Sequence, residues 1–288
     1  MTPPLRLMAV LAHPDDESIG GGGTLATYAA EGVEVYLVTA TRGEAGRFRG
    51  LAPGEGHPGP EALGHIREAE LRAAAAVLGV RELALLGYRD QKLDQAEPRE
   101  AVGRIVTQLR RARPHVVLTF APDGAYGHPD HVAICQLTTA AIVAAADAGF
   151  ASTELDRALA PHAVSKLYYL AWPEAAHVAF AEAFRKLVSN VDGVERSTTP
   201  WPDWALSCVI HTHAYWETVW RAVSCHESQV TAYEKLRHLS PQNHEALWSW
   251  QSYYRAFSTV NGGRARETDL FAGLRTAVVE AHDPGELR

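Results

Sequence analysis

Cysteine is scarce in this chain: three occur in 288 residues. Cys135, Cys208 and Cys225 stand far apart, without the close spacing of a paired-thiolate metal site or a disulfide framework. That usage suits a reducing compartment. Long apolar runs are missing too. The stretch from Leu5 to Ala12 is interrupted by Arg6 and meets His-Pro-Asp-Asp at once, too short for a bilayer and without a signal peptide's layout. A cytoplasmic location with no membrane partner is the expectation. There is no basic tail and no lysine-rich block. With 27 basic and 34 acidic residues the formal charge is -7, so no nucleic-acid partner is expected. What is present, 47% hydrophobic and 21% charged residues, is the composition of a globular chain able to bury a sizeable core.

The first half alternates two kinds of segment. Leu5 to Leu11, Val33 to Thr39, Leu83 to Leu86 and Val116 to Phe120 are short apolar runs bounded by turns and read as buried strands. Gly20 to Ala30, Ile66 to Leu78, Val102 to Leu109 and His131 to Ala146 carry helical spacing, the first two closed by Gly32 and Gly79. Such β-α repetition predicts an α/β fold with mainly parallel strands and helices covering both faces of the sheet. Functional groups are then expected beyond the carboxyl ends of the strands. Three polar clusters fall there: His13 to Ser18, Thr41 to Glu44 and Ala121 to His131.

Beyond a junction at Ser152 to Pro161 the pattern is less regular. Residues 1–150 read as the catalytic core and 151–288 as a smaller substrate-side elaboration of a single domain. Leu167 to Ala171 and Leu206 to His211 read as strands, Trp216 to Leu236 and Glu245 to Tyr253 as largely helical. All seven tryptophans lie in this half, which suits a small second core, with a few rings free to line a substrate mouth.

Ala12-His13-Pro14-Asp15-Asp16-Glu17 sets an imidazole and two adjacent carboxylates just past a strand. His13 and Asp16 can give a nitrogen and an oxygen to a zinc ion. Asp15, whose side chain diverges from its neighbour's, can reach a water on that ion. Gly124-Ala125-Tyr126-Gly127-His128-Pro129-Asp130-His131 repeats the theme after a later strand, with proline opening a helix. His131 can complete a His-Asp-His site, His128 can stabilise an oxyanion, and Asp130 can hold an imidazole in one tautomer. The bland alternative is a solvated loop with a helix cap at Asp130. It explains either cluster alone better than both together. Gly20 to Gly23 is no dinucleotide fingerprint, because Asp15, Asp16 and Glu17 precede it and would repel a pyrophosphate. Ser18 lacks the strand-turn-helix context of a serine nucleophile.

The two segments resemble the paired motifs of the LmbE-like, or PIG-L-like, family of zinc-dependent N-acetylglucosaminyl deacetylases. The resemblance covers roughly residues 5 to 150 and implies a Rossmann-like three-layer sandwich, in agreement with the β-α pattern, with His13, Asp16 and His131 as ligands of Zn2+ (Fe2+ fits the same donors), Asp15 as general base and His128 as the electrophilic group. It is closest to the branch acting on N-acetylglucosaminyl-inositol and on thiol conjugates built from it. That likeness implies substrate contacts for Glu44, Arg67 and Asp90. In the second half, His226-Glu227-Ser228-Gln229 resembles an element whose histidine approaches the site, and Tyr126 joins the candidate substrate contacts. The implied reaction is hydrolysis of a linear N-acetyl amide by direct attack of a zinc-bound water, with Asp15 taking a proton and protonated His128 facing the oxyanion. The implied partner is a small acetylated amino sugar or a conjugate of one, and oligomerisation stays open. Two alternatives stand beside it: an amidase for thiol conjugates of a cysteinyl glucosamine-inositol, and a metal-bearing carbohydrate binder without catalysis, which would need neither Asp15 nor His128.

Overall fold

Apolar strands joined by helices fix the topology from the first residues onward. In the computed structural model, which describes residues 4–156, 158–178, 188–191, 194–197, 199–229, 234–263 and 265–275, strands β1 (Arg6–Leu11), β2 (Glu34–Thr41), β3 (Glu82–Tyr88) and β4 (Val116–Thr119) alternate with helices α1 (Asp16–Ala30), α2 (Pro60–Val77) and α3 (Pro98–Ala112). After β4 come a short turn, α4 (Gly124–Gly127), the long α5 (Pro129–Ala146) and strand β5 (Lys166–Leu170). β1, β2 and β4 are buried along nearly their whole length, as strands covered by helices on both faces must be.

The sheet runs β3-β2-β1-β4-β5-β9-β8. Its first five strands are parallel, while β9 (Trp250–Ser258) and β8 (Cys208–His211) add antiparallel strands beyond β5. The second half therefore extends the sheet of the first. A separate hairpin pairs β6 (Val188–Val191) with β7 (Val194–Ser197). The chain lays strands outward from β1 to β3, then returns to place β4 on the other side of β1. This reversal opens a crevice at the carboxyl ends of β1 and β4. It is also why segments more than a hundred residues apart in sequence meet.

Three expectations need correction. α1 starts at Asp16, within the His-Pro-Asp-Asp-Glu segment, and not at Gly20. The stretch from Trp216 to Leu236 is not one helix: α6 spans Trp216–Ser224, a 3-10 turn covers Glu227–Gln229 and α7 spans Glu234–Arg237, with 230–233 outside the described residues. Glu245 to Tyr253 also divides, α8 (Pro241–Trp248) giving way to β9 at Trp250. Alternation explains this second break. Trp250 is exposed, whereas Gln251 and Tyr253 point inward, where the Gln251 side chain accepts from Thr24 N at 2.7 Å and the Tyr253 hydroxyl donates to Thr24 Oγ1 at 2.7 Å. A period of two is a strand's period.

The tryptophans divide between packing and surface. Trp248 packs with Val219, Val223, Leu236 and Leu247 in a second core, and Trp172, Trp216 and Trp220 lie against it. Trp204 and Trp250 are exposed. Gly23 lets this second half close on α1, since a Cβ there would stand 2.6 Å from Thr212 Cβ. Among the described residues no helix is long and apolar enough to cross a membrane.

Candidate metal centre and active site

β1 delivers His13 to the crevice and the turn after β4 delivers His128 and His131. The His13 and His131 rings, 118 residues apart in sequence, stand with His13 Nδ1 3.1 Å from His131 Nε2. Their other ring nitrogens are already engaged. His13 Nε2 lies 3.1 Å from Asp130 Oδ2 and 3.2 Å from Asp90 Oδ1. His131 Nδ1 lies 3.2 Å from the carbonyl of Gly124. Carboxylates and carbonyls only accept, so both of these nitrogens carry hydrogen. Two lone pairs are thereby turned toward each other across 3.1 Å. A shared proton or a metal cation satisfies both at once.

Asp16 supplies the third side. Its Oδ2 is 3.7 Å from His13 Nδ1 and its Oδ1 is 3.5 Å from His131 Nε2. The main-chain N–H groups of Ala12 and His13 donate to Oδ2 at 3.2 and 2.8 Å and hold the carboxylate in place. A tetrahedral ion bound at about 2.0–2.2 Å sets its ligand atoms roughly 3.3–3.6 Å apart. The two Asp16 separations run to different oxygens, each near that range, and the nitrogen-oxygen donor set suits a divalent cation. The ring nitrogens of His13, His128 and His131 also lie within 4.8 Å of one another.

Electrostatics point the same way. Burial alone would lower the pKa of His13, but hydrogen bonds to Asp130 and Asp90 and the charges of Asp16 and Asp90 overrule it and raise it to about 10. Burial lifts Asp16 to about 7 against the pull of the His13 charge. His131 falls well below the ordinary range through burial and the neighbouring His13 charge. The carboxylates of Asp16, Asp90 and Asp130 thus favour positive charge at the centre of the cluster, which a proton on His13 or a cation in its place would supply.

Asp130 is fully buried, and besides His13 it takes the N–H groups of Gln91 at 2.7 Å and Leu93 at 3.1 Å. It braces an imidazole and does not face the crevice. Phe120, at the end of β4, stacks on the His131 ring with centroids 3.9 Å apart. No polar motif marked Phe120; only its place directly after an apolar strand hints at it.

Asp15 adopts φ 101°, a region costly for a residue with a side chain. Its N–H donates to Glu17 Oε2 at 2.9 Å, and Arg67 Nη2 donates to its Oδ2 at 3.1 Å. Arg67 also donates to the carbonyls of Pro14 (2.5 Å) and Gly43 (2.8 Å). Gly43, at φ 65°, is the residue that permits this, because a Cβ there would lie 2.1 Å from Arg67 Nη1.

Several expected substrate contacts are placed differently from the sequence reading. Arg67 and Asp90 are buried, and their polar atoms brace neighbouring loops; Asp90 Oδ2 accepts from Ala45 N at 3.0 Å. Glu44 Oε1 accepts from Asp90 N at 2.9 Å, while its Oε2 is buried without a partner among the described residues. His226 is fully buried against Glu17, with Nε2 2.8 Å from Glu17 Oε1, so it approaches the motif from behind and not from the crevice. Tyr126, half-buried, sets its ring edge-on to His131 at 5.2 Å between centroids. No sequence motif points to Arg196. Its side chain covers Gly127, whose Cβ would lie 3.0 Å from Arg196 Cδ, and it lines a cavity of about 810 Å³ together with Gln91, Lys92, His128 and Gln136.

His128 is the active-site group whose protonation differs from expectation. Its Nδ1 accepts the N–H of Asp130 at 3.2 Å, which leaves hydrogen on Nε2. Burial and the His13 charge lower its pKa to about 4. The ring is a neutral donor near pH 7, not the imidazolium that the sequence reading assigns.

Known proteins resemble this chain in sequence and in fold. The family model described as PIG-L: GlcNAc-PI de-N-acetylase matches residues 8–142. The 1D-myo-inositol 2-acetamido-2-deoxy-alpha-D-glucopyranoside deacetylase of Kineococcus radiotolerans is 35% identical over 312 residues, spanning 94% of this chain and 83% of that one. Among solved structures, the N,N'-diacetylchitobiose deacetylase of Pyrococcus horikoshii superposes with a TM-score of 0.63 at 23% identity, over 87% of this chain and 83% of that one. The 4-carboxy-2-hydroxymuconate hydratase GalB of Pseudomonas putida gives 0.66 at 18% identity, over 91% and 100%. Since one fold carries a deacetylase and a hydratase, it is the sequence likeness that identifies the reaction class. The chain is a hydrolase acting on N-acetyl amides. It belongs to the PIG-L family of de-N-acetylases.

Proposed function

We propose that this chain removes the acetyl group from an N-acetylglucosamine unit joined to a small polyol, with a glucosaminyl-inositol as the preferred substrate. The observation that carries the reading is the pair of histidine lone pairs closed by Asp16 and flanked by Asp15 and His128. The substrate class follows the relatives, 35% identical in the case of the Kineococcus deacetylase.

His13 Nδ1, Asp16 and His131 Nε2 would hold the metal, a donor set that zinc and ferrous iron both fit, with zinc the ion that the family resemblance implies. When bound it supplies Lewis acidity, easing deprotonation of a water and polarising an acyl carbonyl. Asp15, held by Arg67 and by its own N–H, is the proton acceptor for that water. His128 presents Nε2–H to the developing oxyanion as a fixed neutral donor, with no reorganisation required. Asp130 holds the His13 tautomer and so acts through a ligand. Glu44 Oε2, buried without a partner among the described residues, is an acceptor for a sugar hydroxyl. Arg196, Lys92 and Gln136 line the cavity beside His128 and suit the polyol end.

Asp130→Asn should weaken metal affinity by roughly 10–100-fold, the usual cost of losing a carboxylate behind a ligating histidine. Competition with a chelator of known affinity reads this directly. An unchanged affinity with reduced kcat would move Asp130 from bracing to chemistry. The function itself is tested by comparing release of free amine from acetylated glucosaminyl-inositol, N-acetylglucosamine and a cysteinyl thiol conjugate at matched concentrations. Fastest turnover is expected on the first. Cleavage of the conjugate alone would make the chain an amidase, and rapid turnover of an unrelated acyl amide alone would remove the sugar assignment.

A further inference from the structure

Glu17 and His226 form a hydrogen-bonded pair that the reaction above does not use. Both are fully buried, 209 residues apart in sequence, with Oε1 and Nε2 2.8 Å from each other. Burying a carboxyl–imidazole pair away from water is a poor way to gain stability. The geometry supplies another reason.

The second oxygen of Glu17 accepts the N–H of Asp15 at 2.9 Å, the very residue held at φ 101°. Ser18 Oγ donates to the first oxygen at 2.5 Å. Glu17 is thus gripped on one side by Ser18 and His226 and grips Asp15 on the other. The segment carrying His226 steadies the opposite side of Asp15 as well. Ser228 donates through N and Oγ to Glu70 at 2.6 and 2.7 Å, and Glu70 stands one turn along α2 from Arg67, whose guanidinium holds the Asp15 carboxylate. Gln229 Nε2 donates to the carbonyl of Arg47 at 2.8 Å, and Arg49 N donates to the carbonyl of Ser228 at 2.6 Å. One short segment from the second half fastens the motif loop, α2 and the loop after β2.

We infer that the buried Glu17–His226 pair is a positioning device that fixes the backbone of Asp15 in its left-handed conformation and so aims the carboxylate at the metal site. This rests on Asp15 as the proton acceptor. Without the pair, Asp15 can relax to negative φ and its carboxylate leaves the reactive position, while the metal donors, tied to Ala12, His13 and Gly124, stay in place.

The test is a double-mutant cycle on metal-loaded full-length enzyme, with kcat, KM and bound metal measured for Glu17→Ala, Asp15→Asn and the combined variant. Glu17→Ala should lower kcat about 10–100-fold with KM and metal content little changed, and Glu17→Gln, which keeps an oxygen for the Asp15 N–H, should recover most of that loss. In the Asp15→Asn background the Glu17→Ala change should cost less than about twofold, because the group it positions no longer takes a proton. An equal loss in both backgrounds would overturn the inference and leave Glu17 a packing residue. A near-normal kcat for Asp15→Asn would instead remove the proton-acceptor reading, and the positioning role with it. If Glu17→Ala does not fold, His226→Phe takes its place in the same cycle, with the same non-additivity expected and additivity again decisive against.

Discussion

Replacing Asp15 by asparagine is expected to cut kcat by roughly 10²–10⁴-fold, the usual contribution of a general base, while leaving the metal bound. The substitution isolates the chemistry unusually well at this position. Asparagine is nearly isosteric and can still accept from Arg67 Nη2 through its amide oxygen, and it tolerates positive φ better than most residues, so the 101° backbone need not move. What it cannot do is take a proton from water. Metal content by elemental analysis and steady-state kinetics on the same preparation give the answer. Full metal occupancy with near-normal kcat would show that another group accepts the proton. Arg67 belongs to the same unit, since it holds the Asp15 carboxylate and the carbonyls of Pro14 and Gly43 together.

How far the sequence exposes this unit depends on the kind of signal. The β-α core is legible because burial on both sheet faces demands unbroken apolar runs, and Leu7 to Leu11, Val35 to Val38 and Val116 to Leu118 are such runs. Ligand-type side chains past the ends of β1 and β4 are legible for a related reason. A strand end at a switch point is where polar groups can cluster without disturbing the core. The second half obscures itself. Trp248 through Tyr254 is rich in aromatic residues that suit a helix face or a strand, and only the alternation of Trp250, Gln251 and Tyr253 separates the two. Glu44, Asp90 and Arg67 enter the sequence reading as substrate contacts through the family resemblance alone. In the fold they satisfy one another's loops, a pairing across 46 residues in the case of Glu44 and Asp90 that no local pattern announces. His226 was legible as a residue near the site but not as a partner of Glu17, because its role depends on a tertiary contact formed from behind.

His128 offers the sharper separation of roles, because it performs two. Its Nδ1 caps α5 by accepting the N–H of Asp130, and its other nitrogen carries the hydrogen proposed to meet the oxyanion. His128→Ala removes both. Loss of an oxyanion donor typically costs about 10²–10³-fold in kcat, and loss of a helix cap about 0.5–2 kcal/mol of stability. Those two losses are measured differently and can be pulled apart. His128→Asn keeps a capping acceptor, for asparagine is among the best residues at that position, but its shorter side chain lacks a second nitrogen reaching into the crevice. The expected pattern is a lowered midpoint of urea unfolding for His128→Ala, a near-normal midpoint for His128→Asn, and an equally large fall in kcat for both. KM should change little, since a donor that engages only as charge develops on the oxygen contributes to the transition state more than to substrate binding. If His128→Asn keeps most of the wild-type kcat, the imidazole is a helix cap alone. The oxyanion must then be met by another group in the crevice, with Tyr126, edge-on to His131, the nearest candidate.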